Sequence, residues 1–144
     1  CRNRIMSKPR DIFQRLALRE KMTVMARAET IRTLDDEHQK ISNIGEKLTQ
    51  MADETQPNPG VTSMMSLRSA QHYSSKIHEQ LKVIEQRKGF LEDEISEERL
   101  TLGTALSRQN RAEEKSRQYH QNIKEEHQEK AANDIPRPNT RPNN

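Results

Sequence analysis

Apolar residues recur along most of this chain in steps of seven, three and four. Val24, Ile31, His38, Gly45 and Ala52 form one seven-residue series, and Leu34, Ile41 and Leu48 stand three residues after members of it. Further on, Ala70, Ile77, Ile84, Leu91, Ala105, Ala112 and Tyr119 form a second series, joined four residues later by Leu81, Ile95, Leu102 and Ile123. This is the a/d pattern of a coiled coil, in which a narrow apolar seam on one helix is buried by another helix. It predicts a first helix over residues 10–55 and a longer second helix over 63–131. Thr62 or Ser63 is suited to cap the second helix, because a hydroxyl accepts from an unpaired first-turn amide. Phe13 and Ala17 carry the first seam towards the N-terminus past the interruptions Glu20 and Arg27. Gly89 and Gly103 sit inside the second helix, each at a cost of about 1 kcal/mol relative to Ala.

The pattern breaks once. Residues 56–60 read QPNPG and hold two of the six prolines and one of the four glycines. The expectation is therefore an all-α chain: an elongated antiparallel two-helix coiled-coil hairpin with its turn at 56–62. Residues 1–9 are expected to be a flexible N-terminus. Residues 132–144, with three prolines and no seam, are expected to be a disordered tail.

Folding between Pro57 and Asn58 pairs Leu48 with Leu67, Gly45 with Ala70, His38 with Ile77, Leu34 with Leu81, Ile31 with Ile84 and Val24 with Leu91. With Ile41, these residues are the expected structural seam. In this register, residues beyond about 106 overhang without an intramolecular partner, and 106–130 become a candidate for self-association. Charge supports an antiparallel arrangement. Residues 1–27 carry a net charge of +6, 28–60 of −4, 61–90 of +3 and 91–114 of −4. An antiparallel hairpin sets blocks of opposite sign side by side, whereas a parallel dimer sets each block beside its own copy. A monomer is favoured.

Composition removes other classes. Hydrophobic residues are 30%, charged residues 33% and aromatics 3%, without Trp, too little apolar surface for a layered globular core. No apolar run reaches membrane-spanning length, so at most a peripheral membrane association is expected, and the localisation expected is cytoplasmic. The single cysteine, Cys1, allows no internal disulfide framework. The overall charge of +3 is mild. The basic first block could contact nucleic acid, but it has no interleaved aromatics for base stacking, and that reading is disfavoured.

Catalytic motifs are missing: there is no GxxxxGK[ST], GxSxG, HExxH or CxxC. His120 and His127 share a helix face two turns apart, too far for one metal ion. The acidic pairs Glu97–Glu98 and Glu113–Glu114 do not face a common pocket, since adjacent helical residues diverge. No enzyme activity, metal or cofactor is expected. What remains is surface: the basic block with Arg10, Arg15, Arg19, Lys21 and Arg27, and Val61, Met64, Met65 and Leu67 after the turn with Met51 nearby. Methionine clusters suit adaptable protein contacts.

The stretch RLALREKMTVMARAETIRTL, residues 15–34, resembles the first helix of the flagellar export protein FliJ and its YscO-type counterparts in type III secretion. With the long-helix hairpin, the similarity spans residues 10–130. The resemblance implies a non-enzymatic coiled-coil stalk of an export apparatus. Such a stalk links a hexameric export ATPase to an export-gate subunit, and some members escort export chaperones. Mapped by position, it places Arg10, Arg15, Arg19, Tyr119 and Ile123 at the ATPase end. Met51, Met64, Met65, His72 and Tyr73 fall towards the gate, near the hairpin tip. The alternatives are a coiled-coil scaffold or assembly factor that oligomerises, and a nucleic-acid binder using the basic first helix.

Overall fold

A computed structural model describes residues 11–56, 60, 63–136 and 138. Two helices account for most of them: α1, Ile12–Glu54, and α2, Met64–Asn133. They pack against each other as an all-α helical hairpin. The described residues contain no strand. The expected flexible start at 1–9, Arg10, Thr62, most of the QPNPG turn and most of the tail lie outside the described residues. Ala132 and Asn133, expected in the tail, belong to the end of α2.

Both helices begin on a side-chain cap. The Asp11 carboxylate accepts from the amides of Phe13 at 2.9 Å and Gln14 at 3.1 Å, satisfying two first-turn donors of α1. Ser63 Oγ accepts from the Ser66 amide at 3.3 Å and starts α2. Threonine is a mediocre helix former, and here its hydroxyl folds back on the carbonyl four residues earlier. Thr30 reaches Ala26 at 3.0 Å, Thr49 reaches Gly45 at 2.9 Å and Thr101 reaches Glu97 at 3.1 Å. The last turn of α1 holds Asp53 and Glu54 and no basic residue, which opposes the helix dipole. The last turn of α2 carries Lys130, which complements it.

Contacts divide the chain into two units. One is Val24–Thr104; the other joins Cys1–Thr23 to Ala105–Asn144. The first unit has the larger side chains inside. Leu91 is wholly buried, with Ile77 and Ile95 nearly so. Val24, Ile31, Leu34, Ile41, Leu48, Leu81 and Ile84 are half-buried, the usual state of a seam flanked by only one other helix. The second unit buries alanines instead: Ala17, Ala105 and Ala112. Its helices therefore meet over small side chains, and the apolar area removed from water there is modest.

The register differs from the expectation. Gly45 faces Ile84, not Ala70, with an added Cβ falling 3.3 Å from Ile84 Cγ2. His38 meets Glu92 rather than Ile77, and Arg27 meets Glu98 rather than Lys88. At Gly45 the displacement is fourteen residues, which is two heptads, so the apolar seam survives it. Two corrections follow. Residues beyond 106 do not overhang from that point: Ala112 is buried and Ser116 bonds to Asp11. Leu67, expected opposite Leu48, is 42% exposed.

Ion pairs across the hairpin fix the observed register. Arg27 Nη1 bonds both carboxylate oxygens of Glu98 at 3.0 and 3.1 Å, and Arg87 Nη2 lies 2.6 Å from Glu37. Arg99 reaches Asp35 at a looser 3.8 Å. Each exposed pair contributes only about 0.2–1 kcal/mol, but a shifted register would lose all of them together.

Two glycines test the packing in opposite directions. An added Cβ at Gly103 meets nothing within 4 Å. Gly103→Ala should therefore raise the unfolding free energy by about 0.5–1 kcal/mol. Gly45→Leu must push against Ile84 and should lower it by about 1–3 kcal/mol. Urea unfolding followed by circular dichroism checks both; equal effects at the two sites would contradict the observed register.

Candidate functional site

The unit containing the start of α1 is tied by one carboxylate. Asp11 is buried, and besides capping α1 it accepts a hydrogen bond from Ser116 Oγ of α2. His120 Nε2, one turn further on, lies 3.0 Å from the same oxygen, Oδ2. The Tyr119 ring stands edge-on to the His120 ring with centroids 5.8 Å apart. Burial works against ionisation of Asp11. The Ser116 hydroxyl, the Gln14 and Phe13 amides and the nearby His120 outweigh it, so its pKa lies below the usual carboxylate value.

Serine, histidine and aspartate meet here, but not as an activated nucleophile. Ser116 and His120 both point at the carboxylate, so the histidine is not placed to take the serine proton. The arrangement holds the first turn of α1 onto α2.

Of the residues assigned to the ATPase end, Arg15 and Arg19 are exposed on α1, and neither forms an ion pair with a described residue. Tyr119 and Ile123 are half-buried on α2. Arg10 lies outside the described residues. Exposed apolar side chains accompany the arginines, with Ile12 and Met22 each 73% exposed.

In the Val24–Thr104 unit, Met64 and Met65 are 80% and 82% exposed on the first turn of α2. Met51, His72 and Tyr73 are exposed as well. A shallow groove of about 590 Å³ is lined by Ala52 of α1, by Thr55 just after it and by Leu67, Ala70, Ser74 and His78 of α2. None of the five residues assigned to the tip lines it. The fourteen-residue displacement explains this: the end of α1 packs against α2 beyond the first turn, leaving the methionines of that turn uncovered.

Among the described residues, no group of three or more His, Cys, Asp or Glu is placed to hold a metal ion. No described helix is long and apolar enough to cross a membrane. The grooves are shallow and open, unlike the enclosed sites that shift pKa values for acid–base chemistry.

On sequence alone His120 stood only as a rejected metal ligand, and Asp11 and Ser116 carried no functional role. An Asp three residues before Gln14 at the start of a seam is a capping signature. Its two long-range partners become visible only in the observed register. No family model matches the chain, and no curated protein or solved structure is similar enough to show kinship.

Because the Asp11 pKa is lowered in the folded chain, its contribution is complete above the unfolded value. It is lost as pH falls through the folded value. Acidification should therefore loosen the first turn of α1, seen as falling exchange protection of the Phe13 and Gln14 amides. Asp11→Ala should lack that protection at neutral pH and show no further acid step there. Undiminished protection in the variant would show that Asp11 does not cap α1.

Proposed function

We propose that this chain is a non-enzymatic coiled-coil stalk or adaptor of a flagellar or type III protein export apparatus. In this reading it joins an export ATPase to an export gate or to export chaperones. The carrying observation is the basic and apolar surface at the start of α1, where exposed Arg15 and Arg19 accompany exposed Ile12, Leu16 and Met22. Such a surface suits a protein contact in which charge steers the approach and apolar side chains hold it. The resemblance of residues 15–34 to the first helix of the FliJ and YscO-type proteins gives the partner class. The methionine-bearing first turn of α2 then serves the second partner. Since each helix already buries the other's seam, one copy needs no second chain to fold.

The scaffold alternative, in its original form, rested on residues 106–130 lacking a partner. The contacts of Ala112 and Ser116 take much of that ground away. The test is direct binding of the purified chain to a purified hexameric flagellar or type III secretion ATPase. Binding should weaken at least about tenfold when Arg15→Glu and Arg19→Glu are combined, and should fall with added salt. No binding, or binding indifferent to both changes, would sink the proposal.

A further inference from the structure

In the unit holding the start of α1, two rows of side chains border a shallow groove of about 330 Å³. Phe13, Leu16 and Glu20 of α1 line one wall; Arg108, Arg111 and Lys115 of α2 line the other. Each row follows the spacing i, i+3, i+7, so it runs along one face of its helix. The Lys115 ammonium stands over the Phe13 ring, 5.6 Å from its centroid. None of the three cations forms an ion pair with a described residue. The segments outside the described residues contain no Asp or Glu, so no carboxylate side chain there can neutralise them. With Glu20 as the sole acid of the lining, the groove has a local excess of two positive charges.

The Val24–Thr104 unit carries a complementary surface. Phe90, Asp93, Glu97 and Leu100 share one outward face of α2 and are all exposed. Leu100 is 72% exposed, and Arg87 lies 5.3 Å from the Phe90 ring centroid. Asp93 and Glu97 form no ion pair with a described residue. The face therefore offers two carboxylates between two apolar side chains. The groove offers three cations on one wall opposite two apolar side chains on the other.

We propose that the groove of one copy receives the Phe90–Leu100 face of a second copy. Phe90 packs on Phe13 and Leu16, while Asp93 and Glu97, on the next turns of the same face, approach Arg108, Arg111 and Lys115. The inference does not rest on the export reading. The two surfaces differ, so the contact is heterologous: each joined pair leaves one groove and one acidic face free, and association can continue. Only about three turns of helix take part, less than a stable dimer interface needs. The association is weak and salt-sensitive, and the folded single chain dominates at low concentration.

Sedimentation velocity across a concentration series up to about 1 mM tests this. The mean mass should rise with concentration at low salt, and the association constant should fall at least about tenfold in high salt. Arg108→Glu with Arg111→Glu should abolish the rise, as should Asp93→Lys with Glu97→Lys. Mixing these two variants, or combining all four reversals in one chain, should restore it. The milder Arg108→Gln with Arg111→Gln should weaken it without loss of helicity by circular dichroism. A wild-type chain that stays monomeric throughout overturns the proposal. So does self-association that neither reversal moves. Binding of the monomer to anionic lipid vesicles or to duplex DNA without self-association would also overturn it, and would assign the groove to that surface instead.

Discussion

A two-helix hairpin has a single seam, and every seam residue has only one other helix to cover it. That constraint governs the rest of the molecule. Leu91 is the largest side chain wholly removed from water, while most other a/d residues remain half-buried. The Val24–Thr104 unit meets the constraint with branched side chains, which bury more area per position. The other unit, with Ala17, Ala105 and Ala112 inside, gains less from burial. It adds a polar tie, in which the Asp11 carboxylate serves two α1 amides and two α2 side chains. A carboxylate with this many donors can be taken from water because each interaction favours its charged form.

The helices themselves were legible because a seven-residue repeat needs no knowledge of the partner. The expected first helix at 10–55 lies close to Ile12–Glu54, and 63–131 lies close to Met64–Asn133. Register was another matter. A shift of two heptads returns every a and d position to an equivalent place, so an apolar pattern cannot tell the two alignments apart. The tight pairing suggested by QPNPG assumed that both helices begin opposite each other at the turn. Instead, Gly45 meets Ile84, and the first turn of α2 is left with exposed Met64 and Met65. Glycine at 45 fits this register, since the approach of Ile84 leaves little room for a larger side chain.

Charge carried register information, but at the level of residues rather than blocks. Summed over blocks, opposite charges call for α1 residues 28–54 beside α2 residues 61–87. In the structure, the acidic stretch Asp35–Asp36–Glu37 runs near Glu92 and its acidic neighbours. His38 meeting Glu92 and Arg99 approaching Asp35 relieve that crowding, and Arg27 and Arg87 find Glu98 and Glu37. Exposed charges interact strongly only within a few ångströms, so a block average hides the pairs that matter. The long-range partners of Asp11 were hidden by the register as well. Its capping role is local, but its bonds to Ser116 and His120 exist only once the register is known.

The same economy of burial bears on function. Ile12, Met22, Met64, Met65 and Leu100 stand largely in water and contribute little to the seam. Exposed apolar side chains carry an aggregation risk, and scattered singly they need no explanation. Here several stand beside charged groups in which one sign prevails: Ile12 and Leu16 beside Arg15 and Arg19 with Glu20, Phe90 and Leu100 beside Asp93 and Glu97 with Arg87. Charge of one sign beside an apolar side chain repels copies of the same surface and attracts a surface of opposite sign. It therefore limits indiscriminate sticking while leaving specific contact open. With so little interior, most of the large apolar side chains of this chain stand on the outward sides of α1 and α2, beside charged groups.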